Sequence, residues 1–150
     1  MIKKIIVLLA GLACCLAAEA QTYQISSYSL GIVQGGSSEN LNNSAARRRN
    51  TIYSEIIYGR KTPVEASIVI DEEKGEVTLV GPQVKKYRVD FNQGQGWTNA
   101  GRRRRFQTCT GKDESNNLDI LFERIQDKDG NLLEVSVFGG NNVGTYYIKN

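Results

Sequence analysis

Histidine is absent from the 150-residue chain, proline occurs only twice, and tryptophan and methionine once each. Without imidazole no side chain titrates near neutrality unless it is perturbed, which excludes Ser-His-Asp and Cys-His nucleophiles and every zinc site that needs a histidine. No metal and no cofactor is expected. Carboxylates and one thiol are left for acid–base or nucleophilic work, so the composition favours a binding protein over an enzyme. Cysteine is also scarce: Cys14 and Cys15 are neighbours near the N-terminus, and Cys109 stands alone. A lone thiol closes no internal bridge, so a hydrophobic core must supply the stability. Cys109 reads as a small buried residue; a nucleophilic role would require nearby arginines to lower its pKa.

Long apolar runs are confined to the first twenty residues. Lys3 and Lys4 precede an apolar stretch from Ile5 to Ala18, and small residues follow at Ala18 and Ala20. That three-part layout is the layout of a secretory signal peptide over residues 1–20, cleaved after Ala20. The stretch is shorter than the roughly 20 residues that span a bilayer. Leu12-Ala13-Cys14-Cys15 approximates a bacterial lipobox, which gives lipid anchoring at Cys15 as the alternative to release into the periplasm or medium. Either way a single domain of residues 21–150 is expected, with no transmembrane span. Loss of Lys3, Lys4 and Glu19 leaves 17 basic against 15 acidic residues, a net charge of +2.

The rest of the chain alternates over short runs and shows little helical period, the pattern of an all-β domain. Tyr23 to Gln34 reads as one long or kinked strand and Ile52 to Tyr58 as another. Ile68 and Ile70 share one face of a strand that turns at Glu72-Glu73-Lys74-Gly75 into a second strand carrying Val77 and Leu79. Tyr87, Val89 and Phe91 line one face after Gly81-Pro82. Leu118, Ile120 and Phe122 share a face, as do Leu133, Val135 and Val137 after the turn at Asp127 to Gly130, and Tyr146 and Ile148 end the series. Residues 35–50, rich in Gly, Ser and Asn, read as a mobile loop, with a short helix allowed by the spacing of Leu41, Ala45 and Arg48. Eight or nine strands in an antiparallel meander are expected to close as a small barrel, or to pack as a two-sheet sandwich. In strand count and order the chain resembles the small secreted calycin-type barrels. The lipocalin Gly-x-Trp near the first strand is missing, since Trp97 follows Gly96 directly in mid-chain, and so the resemblance implies a fold without a function.

Charge is concentrated rather than abundant. Arg47 to Arg49 form one arginine run, and Arg102, Arg103, Arg104 and Arg105 form another just after Trp97. Guanidinium forks bind phosphate, sulfate or carboxylate two oxygens at a time, and Trp97 offers a stacking face. The expected ligand site is therefore Trp97 with Arg102 to Arg105, for an anionic glycan, lipid or envelope component. Nucleic acid is a weaker candidate for an exported protein of nearly balanced charge. A solvated strand end explains the same arginines without a ligand. In an extended strand Arg102, Arg104 and Phe106 share one face and Arg103 and Arg105 the other, so one arginine must point inward. Arg104, on the parity of Phe106, is the expected ligand-orienting group. Tyr87, Phe91 and Phe122 are the expected lining if the barrel is hollow, and a structural envelope role through protein association is the alternative function.

Asp127 to Asn131 contains part of a calcium-loop pattern, but Ile125 and Ser136 stand where its terminal carboxylates belong, so it reads as a hairpin turn. The carboxylate pairs Asp71 with Glu73 and Asp119 with Glu123 read as solvated.

Overall fold

A computed structural model describes residues 20–33, 56–92, 96–99, 101 and 103–150. The loop 35–50, with its possible helix, lies outside these residues, as do the signal-like stretch 1–19 and Arg102. Ten strands are present: β1 (Gln21–Val33), β2 (Ile56–Tyr58), β3 (Thr62–Asp71), β4 (Glu76–Val80), β5 (Val84–Val89), β6 (Thr98–Asn99), β7 (Arg104–Asp113), β8 (Asp119–Asp127), β9 (Leu132–Gly139) and β10 (Asn142–Ile148). Eight of them run β10-β9-β8-β7-β5-β4-β3-β1, every pair antiparallel, and β1 returns to pair with β10 from Ile25↔Ile148 to Ile32↔Asn142. That last pairing closes an eight-stranded barrel and leaves no sandwich. The short strands β2 and β6 lie off the barrel path, on β1 and β7 respectively. Among the described residues no helix is long and apolar enough to cross a membrane.

Alternation decides which side chains fill the barrel. Ile68 and Ile70 on β3, Val77 and Leu79 on β4, Tyr87 and Val89 on β5, Ile120 and Phe122 on β8, and Val135 and Val137 on β9 all enter one core. Complete burial of side chains such as Ile68, Val77 and Phe122 contributes roughly 1.5–3 kcal/mol each. The 72–75 turn joins β3 to β4 with Asp71↔Glu76 in register, and Gly75 supplies the positive φ of 66° it needs. The 127–131 turn is held by Asp127, whose Oδ1 accepts from the Asp129 and Asn131 amides at 2.8 and 2.9 Å. It is a hairpin turn, and the Asn131 side-chain amide, donating to Asp127 Oδ2 at 3.0 Å, together with those backbone bonds holds the Asp127 carboxyl below its ordinary pKa.

The long, kinked first strand is as expected, and three other expectations, for Leu133, Leu118 and Glu123, shift. β1 is one long strand kinked at a bulge between Ile25 and Ser27, which lets its first half pair with β3 and its second half with β2. A second bulge, at Ile125/Gln126 on the β8–β9 pair, brings Leu132 into the core and leaves Leu133 half-buried, so strict alternation selects the wrong leucine. Leu118 falls before β8 begins and is 63% exposed. The outer face of β8 is buried as well: Leu121, Glu123 and Ile125 are as enclosed as Ile120 and Phe122. Glu123 is therefore not solvated, and burial, reinforced by the charge of Glu134, pushes its carboxyl well above the ordinary value.

Candidate functional site

Because the strands alternate in direction, the two ends of the barrel are built from different loops. One end gathers the 72–75 turn, the Phe91 and Trp97 region and the 127–131 turn; the other gathers the β4–β5 turn, the 114–118 turn, the β9–β10 turn and the far end of β1.

The first end is plugged. Arg124 shares the inward parity of Ile120 and Phe122 on β8, and its side chain is 8% exposed. Its Nε donates to Gln107 Oε1 at 2.8 Å and its Nη1 to Glu72 Oε1 at 2.6 Å, while the guanidinium lies 5.1 Å from the ring centres of both Phe91 and Trp97. Phe91 meets Phe122 edge to face at 5.7 Å, which ties the plug to the core below it. Arg124 was missed in the sequence, although the signal was present: it lies on the apolar parity of β8.

The second end is open. A cavity of about 750 Å³ reaches into the barrel there, with Tyr87, Ile120, Val137 and Tyr146 among its walls and Leu30, Lys85, Asp113 and Leu118 at its mouth. A smaller hollow of about 390 Å³ under Gly81 and Pro82 shares Leu30, Lys85 and Tyr146 with it. Burial raises the phenol pKa of Tyr87 and of Tyr146, so both are neutral hydroxyls at any physiological pH. The mouth charges differ in their partners. Asp119 pairs with Lys112 at 2.8 Å and Asp113 accepts from the Ser115 amide and hydroxyl, whereas Lys85, inward on the parity of Tyr87, has no ion pair among the described residues. Cys109 sits in the core wall, where burial pushes its thiol up to about 11 against the lowering effect of Arg124. It is a packing residue, as its isolation suggests.

The arginine cluster is divided. Arg104 is exposed on the outer face of β7, opposite Asp127 in register, and does not enter the barrel. The inward arginine is Arg105, whose parity is that of Gln107 and Cys109; it donates to Gln126 at 3.4 Å and lies 5.7 Å from the Trp97 ring centre. Arg103 is exposed in the turn before β7 with φ 61°. Trp97 is half-buried, and its ring already receives two guanidinium groups, Arg105 and Arg124. The structure thus joins Trp97 to Arg105, at the plugged end, and separates both from the cavity. Among the described residues no group of three potential metal ligands occurs.

Neither a family model, nor a curated protein, nor a solved structure matches the chain.

Proposed function

We propose that the protein is an exported binding barrel that takes an apolar or amphipathic small molecule into its open end. The observation that carries this reading is the 750 Å³ cavity, whose walls include Ile120 and Val137 together with Tyr87 and Tyr146, each of which brings a hydroxyl as a candidate polar contact. A concave, mostly apolar pocket with a few placed polar groups is the usual form of a small-ligand site. Lys85 at the mouth supplies one cation to orient an acidic or polar head. The likeness to calycin-type barrels in strand count and order is in keeping with a hollow barrel, and the signal-like first twenty residues support export. No catalytic arrangement is needed for this role.

Uptake of an apolar fluorophore tests the reading. One molecule per chain is expected, with tenfold or weaker affinity in Gly139→Phe. Gly139 lines the cavity, and a Cβ there would meet only Ile120 Cγ2, at an ordinary 3.6 Å, so the new ring enters the mouth without backbone conflict. No uptake, or uptake unchanged in a folded Gly139→Phe protein, would sink the proposal. The exposed Arg103 and Arg104 favour a second reading, anion recognition at the plugged end. Absence of uptake together with salt-sensitive heparin binding that Arg104→Ala weakens would favour it instead.

A further inference from the structure

The strongly exposed large apolar side chains among the described residues are Leu30, Ile32, Tyr58, Val80, Val84 and Leu118, at 41–63% exposure. All six lie at the open end. Leu30 and Ile32 are near the C-terminal end of β1, Tyr58 pairs with Gly31, Val80 and Val84 face each other across the β4–β5 turn, and Leu118 closes the turn before β8. Leu30, Ile32 and Leu118 also line the cavity, so the apolar rim and the apolar interior are one continuous surface. None of these exposed apolar side chains lies at the plugged end, where Arg103, Arg104, Lys128 and Asp129 are exposed.

We propose that this rim docks mouth-first on a lipid bilayer, and that the ligand of the cavity passes between bilayer and barrel without crossing water. The inference rests on the binding reading above and names the partner of that same site. The form of the rim selects a fluid partner over a protein. Its apolar residues come from separate strands and turns, with Leu30, Ile32 and Leu118 on the wall of a hollow and Tyr58, Val80 and Val84 outside it, rather than forming one flat patch. A rigid protein face laid across them would seal that hollow, forfeit contacts along its walls and strip water from Lys85 and Asp113. Acyl chains deform into the hollow, and the hydrated headgroup layer keeps those charges solvated. Two of the apolar tips stand among polar neighbours, Val84 between Gln83 and Lys85 and Leu118 between Asn117 and Asp119, so the rim inserts shallowly with polar atoms at headgroup depth. Charge at this end is mixed, Arg60, Lys61, Lys85 and Lys86 against Asp113, Glu114 and Asp119, so insertion is driven by apolar burial and needs no anionic lipid.

Co-sedimentation of the purified protein with phosphatidylcholine vesicles tests this, with Leu118→Asp and Val84→Asp compared in parallel. The expected result is vesicle binding that added salt does not remove, reduced at least tenfold in either variant, while Val84→Asp, which lies outside the cavity lining, still takes up the fluorophore. Wild type that takes up the fluorophore but stays in the supernatant overturns the docking and leaves the cavity reading intact. Binding that both variants retain also overturns it. A dimer in sedimentation equilibrium that Leu118→Asp splits overturns it in favour of a second copy of the chain on the rim. Loss of fluorophore uptake in the wild type overturns the binding reading instead.

Discussion

Arg124 meets a carboxylate, an amide and two aromatic rings, and each contact is of a kind that strengthens when water is excluded. The carboxylate contributes least, since Glu72 is 58% exposed and solvent screens the pair. Arg124→Met is therefore expected to lower stability by roughly 2–3 kcal/mol, mainly through lost ring stacking and the orphaned Gln107, and Glu72→Gln by less than about 1 kcal/mol. Denaturant midpoints at unchanged m-value measure both, and equal effects from the two variants would contradict the ranking. Glu123 makes a second prediction at this scale. Its folded pKa is raised above the unfolded value of about 4.3, so the native state holds the proton more tightly and stability falls as pH rises from there toward the folded pKa. Glu123→Gln removes that dependence. The variant should gain on wild type as pH increases above about 4.3, by at most about 1.4 kcal/mol per pH unit, and a constant difference between pH 4 and pH 8 would count against the buried acid.

Among the elements, the β5–β7 seam is where the barrel is held most weakly. It has three register pairs, Tyr87↔Asp113, Arg88↔Lys112 and Val89↔Gly111, whereas β7–β8 has nine. The seam closes only because position 111 has no side chain: a Cβ there runs into the Arg88 carbonyl oxygen and crowds Val89 Cα. Gly130 is a useful contrast, since a Cβ there meets nothing within 4 Å and only its φ of 85° resists substitution. Gly130→Ala should cost about 1 kcal/mol, and Gly111→Ala clearly more, roughly 3 kcal/mol or above. Hydrogen exchange should show the extra loss as earlier opening of β5 amides, and equal melting temperatures for the two variants would contradict it. The same elements show what the sequence makes legible. The hairpin at 72–75, the parity of Tyr87 and Val89, and the pairing of Tyr146 with Ile148 follow from period-two alternation and turn residues, which are local signals. Leu132 replaced Leu133 because a bulge is fixed by the partner strand, and the enclosure of Glu123 follows from what covers the outer face of β8; neither is written in the local pattern. Of the site, the parity rule shows that an arginine must enter the barrel, but selecting Arg105 over Arg104 requires the register with β8. Leu118, expected on the core face with Ile120 and Phe122, and Lys85, which no local signal marks, come to one mouth only through closure of the barrel.

For the whole molecule the decisive property is polarity. One pole is plugged by Arg124, the other is hollow with exposed apolar side chains among mixed charges, and β1 runs the full distance between them, from Gln21 beside Ile70 to Gly31 beside Tyr58. Its thirteen residues, at roughly 3.3 Å each and tilted as barrel strands are, put the two poles about 30 Å apart. The direction of that strand decides what a lipid on Cys15 would mean. Six residues from Cys15 to Gln21 reach at most about 20 Å, so a tether there holds the plugged pole against its own membrane and turns the mouth outward. A protein so tethered would not lie on one surface. It would stand between two, with its anchor in one leaflet and its opening turned to whatever bilayer lies across the gap, while the docking proposed above would let an unanchored form land mouth-down.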